Sequence, residues 1–194
     1  EVLKNKLNLG LKTLKNVCGI ESNITTYHLG YVIGPRINAG GRIGKCSHGA
    51  NLLLSKDSKE TFKIATELES FNEERRLIES NMLKKIENTI SINSDDPVIV
   101  LSGHNWHEGI IGIIASRLKE KYNKPTVIIS VEKGLGRASA RSVSGFDIGT
   151  VIISAVQNKI LKKGGGHKMA GGFTIDENKI EEFKDFLKKK FLKI

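Results

Sequence analysis

Leu3, Leu7, Leu11, Leu14 and Cys18 recur every three or four residues, so the spacing predicts an amphipathic helix over about 2–18. No partner surface for it is evident in the chain, and it reads as the edge of a further, upstream domain. Asp57 with Glu60 three later has the form of a capping box opening a second helix. Phe62, Ala65, Leu68, Phe71, Ile78, Met82, Ile86 and Ile90 carry that helix from Ser58 to Ser91. Its middle, Asn72-Glu-Glu-Arg-Arg76, is almost wholly polar, which predicts a solvated waist and a rigid connector, ended by the turn Asn93–Pro97. From Pro97 the period changes. Val98–Leu101 and Thr126–Ile129 are apolar runs of buried-strand length, and Gly109–Tyr122 between them is helical. That order predicts a parallel pair with a right-handed crossover. A strand around Arg137–Ser142, a helix over Ile148–Leu161, a last strand at Gly171–Ile175 and a terminal helix through Ile180, Phe183, Leu187 and Phe191 complete the expected elements.

The fold class is therefore α/β, a mixed sheet preceded by a long helix. The expected division is 1–55, 56–94 for the connecting helix, and 95–194 for the sheet domain, a usual domain size. The chain starts at Glu1 inside an amphipathic pattern, as a piece of something longer would.

Charge sharpens this reading. Lys and Arg number 31 against 21 Asp and Glu, a net +10 over 194 residues. Such an excess points to a polyanionic partner, nucleic acid before membrane, because no long apolar run or basic amphipathic anchor is present. Cys18 and Cys46 form no Cys-x-x-Cys pair, consistent with a reducing cytoplasm.

Two segments carry the clearest chemistry. In Gly136–Ser142 a strand would set Arg137, Ser139 and Arg141 on one face and Ala138, Ala140 and Ser142 on the other. Forked guanidinium donors beside a hydroxyl suit phosphate oxygens, although solvated arginines on an edge strand would look the same. In Gly164-Gly-Gly-His-Lys-Met-Ala-Gly-Gly172, backbone N–H groups without an intervening Cβ can crowd an anion, followed by His167 and Lys168. The plainer alternative is a flexible turn. His167 is a donor to phosphate, a general acid, or a turn histidine satisfied by backbone.

A third segment is Gly34-Pro-Arg-Ile-Asn-Ala-Gly-Gly-Arg-Ile-Gly44. Pro35 suits the first position of a helix, which would leave the N–H groups of Arg36, Ile37 and Asn38 facing an anion. Gly40, Gly41 and Gly44 would stop that helix within a turn or two, and Arg42 adds a cation. A Gly-rich linker is the competing reading. His104 and His107 have His-x-x-His spacing, but in a loop, where it does not guarantee convergence on a metal. His107 or Glu108 is expected to orient that loop, and Trp106 to pack on the domain or stack on a base. A P-loop is excluded by the missing spacer and Gly-Lys-Ser/Thr ending, and a Rossmann fingerprint by the strand that follows Gly136. Asp95, Asp96, Asp147 and Asp176 are scattered at turns and helix starts, where capping accounts for them.

Gly34–Arg42, Trp106–Leu118, Ser139-Ala-Arg-Ser142 with Phe146-Asp-Ile148, and Gly164–Gly172 together resemble the RecJ family of single-strand-specific DNA exonucleases in the DHH phosphoesterase superfamily. The resemblance runs over essentially the whole chain, with the motifs in the expected order. It implies a DHH-associated domain preceded by a long connecting helix and a small helical remnant of the upstream DHH domain. The parent would hydrolyse single-stranded DNA from the 5′ end in the cytoplasm, in repair and recombination. Mn2+ or Mg2+ would sit in the DHH lobe, and no metal is expected in this chain, which lacks Asp-His-His. By resemblance, Arg36, Ser139 and Arg141 would bind the terminal 5′-phosphate or nearby backbone, and His167 would face the scissile phosphate as the catalytic contribution. Asn38, Arg42, His107, Arg137, Gly165, Gly166 and Lys168 complete the expected substrate contacts. Partners would be single-stranded DNA and other DNA-repair proteins. Two other readings stand beside it, a freestanding nucleic-acid-binding module and a DHH phosphodiesterase for short oligonucleotides or cyclic dinucleotides.

Overall fold

The computed structural model describes residues 7–89 and 95–193. Positions 2–6 of the first expected helix and the Ile90–Ser94 end of the long one lie outside these residues. The chain forms two compact units, Glu1–Ile78 and Glu79–Ile194, and the boundary falls inside the long helix.

The first unit is helical. Helix α1 is Leu9–Val17, and Asn8 caps it by accepting from the Leu11 N–H at 2.8 Å. A π-helical stretch, His28–Ile33, runs directly into α2, Gly34–Ile43; α3 is His48–Leu54 and α4 is Ser58–Thr89. The partner of α1 is in this chain, contrary to expectation. Leu14, Leu52, Ile64, Ala65 and Leu68 form one core, with Leu11 against it. Gly10 makes this possible, since a Cβ there would sit 1.9 Å from the Leu52 carbonyl oxygen. The start of α4 follows the capping pattern with a relay. The Asp57 carboxylate accepts from the N–H groups of Lys59 and Glu60 at 2.7 and 3.1 Å. Glu60 reaches the Asp57 N–H through the Ser55 hydroxyl. The expected wet waist is not uniformly wet, because Asn72 is only 1% exposed.

In the second unit β1 (Ile99–His104), α5 (Glu108–Tyr122), β2 (Thr126–Glu132), β3 (Leu135–Arg141), α6 (Ile148–Gln157), β4 (Lys163–His167), β5 (Ala170–Asp176) and α7 (Ile180–Phe191) follow in order. The sheet has five strands in the order β1-β2-β3-β5-β4. The first pair is parallel and the other three antiparallel, as a mixed sheet requires. Sequence patterning anticipates four of the strands. The fifth, β4, is the Gly-rich run read above as a loop or turn. Glycine has little intrinsic strand preference, and pairing with β5 overrides it.

The two faces of this sheet differ. On one, Val127, Ile129, Ala138, Ala140, Phe173 and Ile175 pack with Ile148, Ile152 and Ala155 of α6 and with Phe183 and Leu187 of α7. On the other, α5 lies against β2 and β3. The Glu79–Thr89 half of α4 joins this unit, with Met82 and Ile86 buried and ion pairs from Glu79 to Arg117 (3.0 Å) and Glu87 to Lys121 (2.5 Å).

Candidate nucleic-acid interface

The β4–β5 half of the sheet forms a shelf beside α5. Strand alternation decides what it shows. Arg137 is exposed, Ser139 and Arg141 are half-buried, and the intervening Ala138 and Ala140 are buried, as period two predicts. Register then pairs Ser139 with Gly172 and Gly172 with Gly165. A Cβ on Gly165 would meet nothing within 4 Å, and one on Gly172 only the Ala138 carbonyl oxygen at 3.3 Å. These two glycines make a flat, open floor. Gly164, Gly166 and Gly171 do the opposite. A Cβ would lie 2.8 Å from Ile152 of α6 on Gly164, 2.5 Å from it on Gly171, and 2.4 Å from the Ala170 carbonyl oxygen on Gly166, so only glycine admits these neighbours. Gly149 of α6 likewise lies on the backbone of Gly166 and His167. Gly166 thus serves strand and helix closure, while its backbone stays exposed.

The segment is extended, with no residue from 164 to 172 at positive φ, so it does not form a cradle of alternating right- and left-handed backbone. β4 is the edge of the sheet, and alternate backbone N–H groups point away from β5. What the segment offers a ligand is closeness and the donors of a sheet edge.

Around the floor the side chains are held in defined ways. The Arg141 guanidinium donates to the Ser116 hydroxyl of α5 at 3.2 Å, to Ser139 Oγ at 3.1 Å and to the Ala140 carbonyl at 2.8 Å. Gly112 makes room for it, since a Cβ there would lie 3.2 Å from an Arg141 nitrogen. Arg137 pairs with Glu108 in the first turn of α5 at 3.0 Å. At the end of β4, His167 Nδ1 accepts from the Met169 N–H at 3.3 Å. The neutral ring therefore carries its proton on Nε2, and that atom can donate to a phosphate oxygen. Lys168 is exposed in the adjoining turn.

His107 is the N-cap of α5, its Nδ1 accepting from the Gly109 N–H at 3.1 Å. It orients the loop, as expected, and Glu108 beside it positions Arg137. Trp106 is buried over Gly103, whose Cβ would strike the indole at 2.3 Å, so packing and not base stacking accounts for it. His104 turns to Glu177, 3.2 Å away. Among the described residues no three His, Cys, Asp or Glu side chains come together to hold a metal ion, and no helix is long and apolar enough to cross a membrane.

Arg36 and its neighbours belong to the first unit and depart furthest from expectation. Pro35 lies in the first turn of α2, as its missing N–H favours, but that turn is no free helix start, because the π-helical His28–Ile33 runs directly into it. The N–H groups of Arg36, Ile37 and Asn38 are thus inside a helix and present no N-terminal anion site. The Arg36 guanidinium is clasped by both oxygens of Glu69 and donates to the Val32 carbonyl at 2.8 Å. Burial works against its charge, but the Glu69 hydrogen bond together with the nearby Cys18, Glu69 and Glu73 charges outweighs it, raising the guanidinium above its ordinary value. Asn38 and Arg42, one turn apart, are exposed on α2. Gly40 and Gly41 do not stop the helix, which continues to Ile43.

Residues 95–193 match the DHHA1 domain family. The chain is 34% identical over 187 residues to the single-stranded-DNA-specific exonuclease RecJ of Haemophilus influenzae, over 92% of this chain and 32% of that protein. It is 33% identical over 193 residues to RecJ of Bacillus subtilis, over 96% of this chain and 24% of that protein. The crystal structure of RecJ from Thermus thermophilus in complex with Mn2+ matches with a TM-score of 0.86 and 28% identity, over 100% of this chain and 28% of the other. The chain spans about a third or less of the length of these relatives. The metal in that complex has no counterpart cluster among the described residues here. The shelf, the strands that frame it and the helices that brace it all lie within the matched residues, and the chain belongs to the DHHA1 domain family.

Proposed function

We propose that this chain grips single-stranded DNA for a RecJ-like exonuclease, holding the strand on the glycine shelf while metal-dependent hydrolysis belongs to parts of the parent enzyme outside this chain. One observation carries the reading. A polyanion can reach the sheet backbone at Gly165, where a Cβ would occupy open space, and at the exposed Gly172 beside it, with arginine, histidine and lysine side chains around them. Single strands are gripped through their phosphates, and neutralising each one releases counterions. Arg141, oriented by Ser116 and Ser139, and Arg137, oriented by Glu108, supply planar donors suited to phosphate oxygens. His167 donates from Nε2 and is positioned to act on a phosphate oxygen as hydrogen-bond donor or general acid. Lys168 adds charge at the turn. In the first unit Asn38 and Arg42 are the side chains suited to a phosphate, whereas Arg36 is committed to Glu69.

The test is fluorescence anisotropy of the full chain with labelled single-stranded DNA, with and without a 5′-phosphate, for wild type, Gly165→Val and Arg137→Ala. We expect Gly165→Val to abolish specific binding with no change of charge. Arg137→Ala should weaken binding by about 1 kcal/mol, a charge-assisted contact shared with Glu108. A preference for the phosphorylated strand supports an end-phosphate pocket. The isolated chain should bind without cutting. Wild-type affinity in Gly165→Val, or preference for cyclic dinucleotides over long DNA, overturns the assignment.

A further inference from the structure

The shelf has more order than a basic patch. Strand register sets three cross-strand rows on its open face: His167–Ala170–Arg141, Gly165–Gly172–Ser139, and Lys163–Thr174–Arg137. The middle row carries no side chain larger than a serine. Adjacent rows are two residues apart, so the outer rows are separated by about 13 Å at roughly 3.3 Å per residue. That exceeds the step between neighbouring phosphates of a stacked strand, about 3.4 Å along its axis.

We infer that the row Lys163–Thr174–Arg137 is a second phosphate station, so that the shelf grips two non-neighbouring phosphates with the intervening nucleotides over the glycine floor. The inference rests on the shelf being the DNA site, and it assigns Lys163 a role in setting the length of strand engaged. Four observations carry it. Lys163 and Arg137 flank Thr174 on adjoining strands, about 10 Å apart across the two 4.8 Å strand spacings, and both side chains are long enough to close over an anion above the hydroxyl. Arg137 shares its charge with Glu108, whereas the Lys163 side chain is exposed with no ion pair or hydrogen bond among the described residues. Asp176, the carboxylate one row further along β5 on this face, is neutralised by Lys162 at 2.9 Å and does not repel an anion there. The two stations also differ in kind. At one end sit a histidine and a braced arginine; at the other a lysine, a hydroxyl and an arginine.

The experiment measures affinity of the full chain for 5′-phosphorylated oligodeoxynucleotides from dinucleotide to hexanucleotide, for wild type, Lys163→Gln, Lys163→Arg, Gly165→Val and Lys133→Gln. Lys163 is exposed, so its variants should fold. Lys133, exposed outside the shelf in the β2–β3 turn, controls for loss of charge. The expected result is that Lys163→Gln leaves the dinucleotide unchanged and weakens the hexanucleotide about three- to tenfold. Its salt slope should fall by about 0.7, and Lys163→Arg should restore both values. Equal loss at both lengths, no loss at either, or the same loss from Lys133→Gln overturns the second station. Gly165→Val separates the two levels of the argument. If it removes binding at every length while Lys163→Gln has no effect, the shelf stands and the second station falls. If it binds normally, the shelf itself is not the site.

Discussion

Gly34–Gly44 and Gly164–Gly172 look alike as sequence, each a run of glycines with cations and each suited on paper to an anion. They end in opposite environments. In the first, the run lies largely within a helix, and two of its glycines admit neighbours: a Cβ on Gly40 would lie 3.0 Å from the Lys45 carbonyl oxygen and 3.1 Å from Leu68, and one on Gly44 would lie 2.4 Å from the Phe71 ring. Of its two arginines, Arg36 is bound to Glu69. In the second, alternate glycines divide the work. One set admits α6, and the other leaves a bare surface flanked by cations, the arginines braced by α5 and the lysines exposed. A glycine says that something comes close to the backbone. Whether that something is the protein itself or a ligand depends on the face it lies on, and in a strand the face changes at every residue.

The sharpest test of the contrast is substitution at Gly44, Gly166 and Gly165. Valine at Gly44 collides with the Phe71 ring and should destabilise the chain by about 1–3 kcal/mol, with binding per folded molecule retained. Alanine at Gly166, 2.4 Å from a backbone oxygen, should have an effect of similar size. Valine at Gly165 has open space and should stay within about 0.5 kcal/mol of wild type while losing DNA. Urea midpoints and anisotropy on the same preparations read both axes. If Gly165→Val unfolds the chain, or Gly44→Val leaves it as stable as wild type, the contrast fails.

A smaller effect separates the arginines. Arg36 and Glu69 are mostly buried, with side chains 12% and 23% exposed, so removing either partner strands a charge. Allowing for that residual exposure, Arg36→Ala and Glu69→Ala should each lower stability by about 1–3 kcal/mol, and the double variant by less than their sum. Neither should change DNA affinity. Arg137→Ala, whose pair is largely solvated, should do the reverse. A loss of affinity in Arg36→Ala with unchanged stability would restore the anion reading of the first segment.

Much of this is legible in the sequence alone. The period-two face of Arg137, Ser139 and Arg141, the helix after Glu108, the capping carboxylate of Asp57 and the terminal helix all follow from local spacing. Three features do not follow, each for a physical reason. Strand β4 escapes because glycine carries no local strand signal, although Lys163, Gly165 and His167 are spaced for one face. The clasp on Arg36 escapes because Glu69 is 33 residues away, and ion pairs between separate helices leave no mark in local sequence. The partner of α1 escapes because Leu68 fits its own helix, the seven-residue α3 that carries Leu52 is too short to show a period, and Gly10 gives no sign that it makes room for them.

The smallest effect concerns what lies beneath the shelf. Helix α6 presses Gly149 onto Gly166 and His167, and its start is capped by Asp147, whose carboxylate accepts from the Thr150 N–H at 3.0 Å. That hydrogen bond from backbone holds the Asp147 carboxyl below its usual 3.8, with the nearby Lys168 charge contributing less. A carboxyl whose folded value is depressed adds stability that is fully present above the unfolded value and is lost as pH falls through the lower folded one. Asparagine at 147 keeps an acceptor but cannot titrate. The urea midpoint of wild type should therefore exceed that of Asp147→Asn near neutrality, and the difference should disappear as pH falls below about 3.8, towards the lower folded value. DNA affinity near neutrality should be the same in both. A difference that grows on acidification has the wrong sign for a depressed carboxyl and would refute the cap. A loss of affinity at neutral pH would mean that the open floor depends on how firmly α6 is seated below it, making the packed and open faces of the glycine segment one coupled element.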